Sequence, residues 1–188
     1  MSGSETQDQI LDAVQSVIVR EGVRGASMRQ VAQEADVSLG LISYHFDDKE
    51  SLIFAAFDRA TSAIRDASVE AAAKVSGDDE KVVEYLRGSF SDSFLNSDYL
   101  RLRVSLWAVS LTDSELAKVD IAYYSEYART LEGHIGLARP HLDADEISAR
   151  TADVISLTNG LWLDWARFQR DEDLERGLAR AEAIALAP

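Results

Sequence analysis

Side chains that could contact DNA recur in the stretch SMRQVAQEADVSLGLISYHFDDKE, which begins at Ser27 and includes Ser38, Ser43, Tyr44 and Lys49. The pattern predicts two short helices joined by a tight turn, followed by the start of a third helix. In such a helix-turn-helix the second helix is poised to enter a groove of DNA, where polar side chains meet base edges and phosphates.

The first helix of the pair is predicted from its cap and its apolar face. Ser27 and Gln30 form an S-x-x-Q capping box, which marks a helix start. Val31, Ala32 and Ala35 then provide apolar positions on one face. These residues predict a short helix that packs against a neighbour.

The second helix is predicted over about 39–45. Val37 is expected to fill the space between the two helices, and Ser38 is a favourable N-cap. Leu41 and Ile42 are expected to face inward. The positions left to point away from the core are Leu39, Gly40, Ser43 and Tyr44.

This stretch resembles the DNA-binding domain of the TetR family of one-component repressors, over roughly 45 residues including the first helix. Two departures occur: Asp36 stands where the family usually has glycine, and Ser43 stands where most members carry tyrosine. The Ile42-Ser43 pair before Tyr44-His45-Phe46 is similar to the choline-sensing repressor branch, the BetI type. The resemblance rests on Val31-Ala32, Ala35, Val37-Ser38, Gly40, Tyr44-His45-Phe46 and Lys49-Glu50-Ser51-Leu52.

The resemblance also implies which residues contact DNA. Gly40 would allow close approach to DNA or serve only as a spacer, and Ser43 would reach a base edge or a phosphate. Tyr44 and His45 would contact phosphate, with half-buried packing as the alternative for His45. Lys49 is the strongest phosphate candidate, with a solvated lysine as the alternative. The full implied set is Ser27 (or a cap only), Arg29, Ser38, Leu39, Gly40, Ser43, Tyr44, His45 and Lys49.

The charge of the chain opposes a nucleic-acid partner at first sight. The formal net charge is −14, and residues 1–50 hold nine acidic and four basic side chains, a net −5. Binding to DNA must then depend on local placement of a few groups and on a dimer partner. We therefore expect affinity to fall only shallowly with salt.

Composition excludes several other classes of protein. The chain has no cysteine, so disulfides, thiolate nucleophiles and cysteine-based zinc sites are ruled out. The three histidines, at 45, 134 and 141, lack a metal-binding spacing, and no phosphate loop or nucleophile elbow occurs. No signal peptide or membrane span is evident. We expect a cytoplasmic protein that is not an enzyme and needs no cofactor.

The helical periodicity predicts an all-α fold of nine helices without strands. Capping boxes are expected at Thr6–Gln9 and at Asp47–Glu50. The resemblance implies a DNA-binding domain at residues 1–47 and a ligand-binding and dimerisation domain at residues 48–188. Besides the helix pair, the predicted helices cover about 6–21, 48–75, 79–95, 98–111, 113–138, 143–170 and 172–186.

The predicted helix over 143–170 is apolar on more than one face, which is unusual for a helix with a free side, and the last predicted helix has small residues that permit close helix packing. They are similar to the four-helix dimer interface of the family, in which each subunit provides two helices, although ordinary core packing within one subunit is the alternative. Dimerisation is expected because two-fold operators require two recognition helices. The predicted interface residues are Val154, Leu161, Trp165, Leu174, Leu178, Ala181 and Ala185.

The resemblance implies a small-molecule effector bound among the fourth to eighth helices. Aromatic side chains in an acidic domain could hold an organic cation such as a quaternary ammonium by cation–π attraction. Helical spacing alone would place most of them in the core. The predicted pocket residues are Phe90, Phe94, Trp107, Tyr123, Tyr127, Trp162 and Trp165.

The function expected on these grounds is a homodimeric DNA-binding transcriptional regulator, released from a palindromic operator by an effector. Repression is the commoner habit of the family. The strong acidity favours one alternative, a helical adaptor that binds a protein partner rather than DNA.

Overall fold

The computed structural model describes residues 3–188, with side chains from residue 5 onward. All of the regular elements in these residues are α-helices, which confirms the predicted all-α fold. None of these helices combines the length and the apolar character needed to cross a lipid bilayer. The elements are α1 (Gly3–Gly25), α2 (Met28–Glu34), α3 (Leu39–His45), α4 (Lys49–Ala73), α5 (Asp78–Gly88), α6 (Ser97–Ser110), α7 (Ser114–Ala138), α8 (Ala144–Phe168) and α9 (Asp171–Ala185).

One compact unit contains the chain up to Thr61 together with Arg101–Asp120. Helices α2 and α3 have only seven residues each, a length that is not stable in isolation. Their buried faces join a shared core that includes the fully buried side chains Ile10, Val14, Val17, Val31, Ile42 and Leu52. Packing on α1 and α4 therefore holds the short helices in place.

The second unit contains Ser62–Leu100 and Ile121–Pro188, and its core has two clusters. The first cluster includes Tyr85, Leu86, Leu131, Ile135, Val154 and Ala181. The second includes Phe90, Phe94, Leu100, Trp162, Leu174 and Leu178. This division follows packing alone, so the functional boundary expected between residues 47 and 48 remains a prediction.

The capping boxes expected at Thr6–Gln9 and Asp47–Glu50 are not formed. Helix α1 already begins at Gly3, and Gln9 instead donates from Nε2 to the backbone oxygen of Ala35, at 2.8 Å. Helix α4 is capped by Asp48, whose Oδ1 accepts from the Ser51 amide at 2.7 Å. Hydrogen bonds from Ser51 lower the pKa of the Asp48 carboxyl, because they stabilise its charged form.

Helix α5 ends at Gly88, seven residues before the predicted end near residue 95. A Cβ at Gly88 would lie 2.7 Å from the Cα of Ser68, so only glycine allows this close approach to α4. Phe90 and Phe94 consequently lie in the turn after the helix and reach the core from there. Gly133 and Gly136 lie inside α7.

Candidate functional site

The α2–α3 pair is built as a helix-turn-helix by local hydrogen bonds. The Ser27 hydroxyl accepts from the Gln30 amide at 3.3 Å, and Gln30 Oε1 accepts from the Ser27 amide at 3.2 Å. The predicted capping box is therefore present. In the turn, Asp36 adopts a φ of 51°, and the Val37 amide donates to the Ala32 oxygen at 2.9 Å. Aspartate tolerates this left-handed conformation better than most non-glycine residues.

Helix α3 is anchored by one fully buried side chain, Ile42, and begins at the N-cap Ser38. The hydroxyl of Ser38 accepts from the Leu41 amide at 3.1 Å. Tyr44 is 82% exposed, and Leu39 is 44% exposed. The positions that the spacing predicted to point away from the core, Leu39, Gly40, Ser43 and Tyr44, are exposed, as is Ser38.

Gly40 lies on this exposed face, where the rest of the chain does not demand a glycine. A Cβ built there would meet only the Ser38 hydroxyl, at 3.8 Å, which is ordinary van der Waals contact. The glycine therefore matters to whatever approaches α3 from outside, or it serves only as a spacer at the helix start.

The three ring side chains after Ser43 differ in burial, from exposed Tyr44 to buried Phe46. Phe46 is buried in the core of the first unit, and Tyr44 meets His45 edge-on with ring centres 5.2 Å apart. His45 is half-buried and lies 6.4 Å from the Phe46 ring. This position is compatible with packing and with a contact through the exposed part of the imidazole.

The basic side chains near α3 differ in their surroundings. Arg29 is exposed on the first turn of α2. Lys49 is half-buried and donates from Nζ to the backbone oxygen of Arg24 at 3.0 Å. Arg20 is already paired with Glu34 at 2.9 Å. The first unit therefore offers few uncommitted positive charges to a phosphate.

The predicted pocket residues fall into separate groups. Phe90 and Trp162 are stacked, with ring centres 4.8 Å apart. Tyr99, which sequence reasoning missed, lies 6.3 Å from Trp162 and 5.0 Å from Phe94. Trp165 packs beside this cluster and donates from Nε1 to Asp171 at 2.9 Å. The position of Tyr99 in the first turn of α6 is the sequence feature that could have identified it.

The other three predicted pocket residues lie elsewhere. The Tyr127 ring is 4.9 Å from the ring of buried Tyr85, whose hydroxyl donates to the backbone oxygen of Tyr127 and whose pKa is raised by burial. The Tyr123 hydroxyl lies 2.5 Å from that of Ser62. Trp107 belongs to the first unit, where the Arg103 guanidinium lies 4.9 Å from its ring centre. The structure thus brings only some of the predicted pocket residues together.

The structure corrects most of the predicted dimer interface. Five of the seven residues are at most 5% exposed within a single protomer, which leaves them no surface for a partner: Val154, Leu174, Leu178, Ala181 and Ala185. They form core contacts because the two helices bury one apolar face each inside the subunit. Leu161 and Trp165 remain half-exposed.

An open groove of about 910 Å³ follows the outer side of α8 and α9. Its floor and walls include Leu157, Leu161, Trp165, Phe168, Ala179 and Ala183. The rim is charged: Asp164 lies on α8, and Arg176 and Arg180 lie on α9. This groove, rather than the buried face, is the apolar surface that the two helices leave open.

Two family models match the chain. Residues 10–56 match the model described as bacterial regulatory proteins, tetR family. Residues 78–186, more than half of the chain, match the model described as BetI-type transcriptional repressor, C-terminal. The two matches cover the helix-turn-helix and all of α5–α9.

Curated relatives agree with these matches. The chain is 27% identical over 157 residues to the HTH-type transcriptional regulator BetI of Cronobacter sakazakii, covering 82% of this chain and 76% of that protein. It is 28% identical over 178 residues to the BetI regulator of Pseudomonas aeruginosa, covering 89% and 87%.

Solved structures share the fold. A transcriptional regulator of Pseudomonas aeruginosa PAO1 superposes with a TM-score of 0.88 at 24% identity, covering 98% of this chain and 90% of that one. A regulator of Saccharomonospora viridis, solved in complex with choline, gives a TM-score of 0.76 at 17% identity, covering 95% and 94%.

These findings confirm a transcriptional regulator, as opposed to an enzyme or a protein-binding adaptor. The helix-turn-helix provides the DNA-binding part, and the helices after it provide the ligand-binding part. The chain belongs to the TetR family of DNA-binding transcriptional regulators, with a BetI-type C-terminal domain.

Proposed function

We propose that this regulator is a homodimeric repressor that binds a palindromic operator through α3 and leaves it when a small organic cation binds. The observation that carries the proposal is the two-sided character of α3. Ile42 and Phe46 anchor one side in the core, while the other side presents exposed Ser43 and Tyr44. A helix held this way can enter a major groove without rearranging its support.

The exposed face of α3 suits the edges of base pairs. The Ser43 hydroxyl can donate to or accept from a base, and Leu39 can contact a thymine methyl group. The absence of a side chain at Gly40 permits the helix backbone to approach closely. Tyr44 projects far enough to reach the phosphate backbone beside the groove.

Phosphate contacts are proposed to be few. Arg29 is exposed, while Lys49 would have to release the Arg24 oxygen or share its ammonium with a phosphate. His45 and Ser27 complete the proposed set of backbone contacts. Few contacts imply a shallow dependence of affinity on salt, so specificity would depend on α3 and on dimerisation.

The α8–α9 groove is proposed as the seat of the second subunit. It combines apolar side chains with the small residues Ala179 and Ala183, which permit close helix packing. Asp164 on α8 and Arg176 on α9 could pair across a two-fold axis, since an isologous interface brings the same patch of both subunits together. A regulator that acts on DNA in this way is expected in the cytoplasm.

An organic cation is proposed as the effector. Support comes from the aromatic cluster and from the choline complex of the Saccharomonospora viridis neighbour. Phe90 and Trp162 are stacked too closely to admit a ligand between them. We therefore expect the cation against the Tyr99–Trp162 pair, whose rings are farther apart and could attract it by cation–π interaction.

The test combines footprinting with ligand release. The purified protein should protect a palindrome upstream of its own gene, and choline should raise its melting temperature and weaken that protection. Trp162→Leu should abolish the choline response, whereas the control Trp107→Leu should retain it. Absence of any protected duplex would contradict DNA binding, while protection that ignores choline would contradict only the proposed effector.

A further inference from the structure

We propose that Arg139 and Arg150 are positioning residues for dimerisation, because their guanidinium groups hold the second half of α9 where it meets a second subunit. Arg139 directly follows α7, and Arg150 lies on α8. Both arginines and α9 belong to the second compact unit. The inference rests on the proposed function, since it concerns the α8–α9 groove that is proposed as the seat of the partner.

The two ends of α9 differ in how their backbone groups are supported. The first turn carries three acidic residues, at 171–173, which complement the positive end of the helix dipole. The last turn has no basic residue, and its C-cap, Leu186, has a φ of −102° instead of a left-handed conformation. Other parts of the chain must therefore satisfy the carbonyl groups at the end of α9.

Arg139 provides part of this support. Its Nη2 and Nε donate to the backbone oxygen of Leu186 at 2.6 and 3.0 Å, and Nε also donates to that of Ala187 at 3.3 Å. Asp79, at the start of α5, accepts from Nη1 and Nη2 at 2.7 and 3.2 Å. Because guanidinium is planar, a carboxylate that holds one edge fixes the direction of the other edge. Arg139 thus ties the end of α9 to α5 and α7.

Arg150 holds the next residues in a similar way. Glu146, one turn earlier on α8, accepts from Arg150 Nε at 2.8 Å. Nη1 and Nη2 donate to the backbone oxygens of Ala187 and Pro188 at 2.6 and 3.3 Å. The side chain is only 11% exposed, so water competes little for these charge-assisted bonds. Arg139 and Arg150 together form an arginine clamp on residues 186–188.

The clamp acts on the half of α9 that packing anchors less firmly. The first half buries Leu174 and Leu178, whereas the second half buries Ala181 and Ala185, with partly buried Ile184 beside them. A buried alanine removes much less apolar surface from water than a buried leucine. The position of the second half therefore depends more on polar contacts such as the clamp.

The same half of α9 contributes small residues to the groove. Ala179 and Ala183 line it and are exposed within one subunit. Helices that pack closely over small side chains tolerate little displacement, because the interior of a contact is densely filled. Without the clamp, the last turns of α9 are expected to fray, and association would have to reorder them. Self-association should weaken although the buried leucines keep the rest of α9 in place.

The test compares Arg139→Met and Arg150→Met, which keep an apolar stem but lose the donors, with the control Arg65→Met. Arg65 also pairs with carboxylates in the same unit, but these are Asp66 on α4 and Glu126 on α7. Arg150→Lys keeps the charge without the planar fork. Sedimentation equilibrium measures the dimer dissociation constant of each protein, and circular dichroism measures its helix content.

Both methionine variants should keep the helix content of the wild type while the dimer dissociation constant rises by about tenfold or more. A tenfold change is the effect of reordering about one residue on association. Arg150→Lys should lie between Arg150→Met and the wild type, and Arg65→Met should keep the wild-type constant. Unchanged constants in both methionine variants would overturn the inference, as would an equal rise in the control.

Operator binding separates weakened association from general damage to the fold. The probe duplex is the sequence that the wild-type protein selects from a random library. High protein concentration should restore binding by Arg150→Met to the wild-type level, because mass action drives the subunits together. Binding that stays reduced when the variant is fully dimeric would show damage beyond α9 and would overturn the assignment of the clamp to association.

Hydrogen exchange locates the change without a partner subunit. Ala183→Arg, which places a charge in the groove, provides a monomeric background. Adding Arg150→Met to it should speed amide exchange from Ala179 onward, while amides around Leu174 keep their protection. Equal exchange with and without Arg150→Met would overturn the clamp. A wild-type protein that is monomeric at every concentration would contradict the proposed dimer and the inference with it.

Discussion

The exposed face of α3 and the α8–α9 groove are the two surfaces on which the proposed assembly depends, and their chemistry differs. The α3 face presents hydroxyls and one glycine above a single buried isoleucine. The groove presents leucines, aromatic rings and small residues with charges at its rim. A polar face suits the hydrated grooves of DNA, whereas an apolar groove suits another copy of the same surface.

The two surfaces are also stabilised in different ways. Helix α3 is too short to persist alone, so its orientation depends on the core beneath it. Helices α8 and α9 are long and packed along one buried face, so substitutions on their outer face should spare the fold. Substitutions can therefore separate the folding of each surface from its use.

The largest effect is expected beneath α3. Phe46→Ala should lower the free energy of unfolding by about 3–5 kcal/mol, because it leaves a cavity in the core. The control Phe54→Ala, at a position that is 40% exposed, should cost about 1 kcal/mol or less. Urea denaturation followed by circular dichroism measures both, and equal losses would show that Phe46 is not the anchor.

The next effect is expected in the groove. Ala183→Arg should place a charge where the second subunit packs, shift the protein to a monomer, and lower operator affinity by roughly 100-fold, because two half-sites would no longer be bound together. Sedimentation and fluorescence anisotropy measure these changes. Ala122→Arg, an exposed helical position on α7, is the control. A dimer that survives Ala183→Arg would place the interface elsewhere.

Two serines of the α3 region are expected to have different roles, Ser38 in stabilising the helix and Ser43 in contacting DNA. Ser38→Ala removes the N-cap and should cost about 1 kcal/mol of stability. Ser43→Ala replaces an exposed residue inside the helix, so it should preserve stability while operator affinity falls by roughly tenfold, as expected when one hydrogen bond to a base is removed. Melting curves and anisotropy together check the pair. A stability loss in Ser43→Ala with unchanged affinity would reverse the assignment.

The smallest effect concerns charge. Arg29→Gln should weaken operator binding uniformly across sequences and reduce the slope of log affinity against log salt by about 0.9 for each phosphate that the side chain no longer neutralises. Titrations at several salt concentrations measure this slope. A steep wild-type slope that Arg29→Gln leaves unchanged would indicate phosphate contacts other than those proposed.

The α2–α3 pair was predictable from sequence because its determinants are local. The Ser27–Gln30 box, the Ser38 cap and the burial of Ile42 are each specified within a few residues. The limit of local patterns is seen at the start of α4, where the sequence predicts Asp47 as the cap and the structure has Asp48. Adjacent acids fit the same pattern, and Asp48 is the one that bonds to Ser51, through the Ser51 amide and hydroxyl.

The C-terminal half was less predictable because its determinants are distant in sequence. Apolar spacing on α8 and α9 marks helical faces but does not say whether a face meets the subunit core or a partner. Leu178 and Ala181 were therefore assigned to the wrong surface. Likewise, α5 ends at Gly88, where α4 approaches it closely, and no local pattern reveals that contact.

The central claim, that the exposed face of α3 is shaped for close approach to DNA, is tested most directly by one substitution made at two glycines. A Cβ at Gly40 or at Gly133 meets no closer neighbour than 3.8 Å, so both changes to alanine should preserve or raise the melting temperature. Anisotropy with the selected operator duplex should show about a tenfold or greater loss of affinity for Gly40→Ala, in the range of one disrupted base contact, and none for Gly133→Ala. Wild-type affinity in Gly40→Ala would contradict the claim.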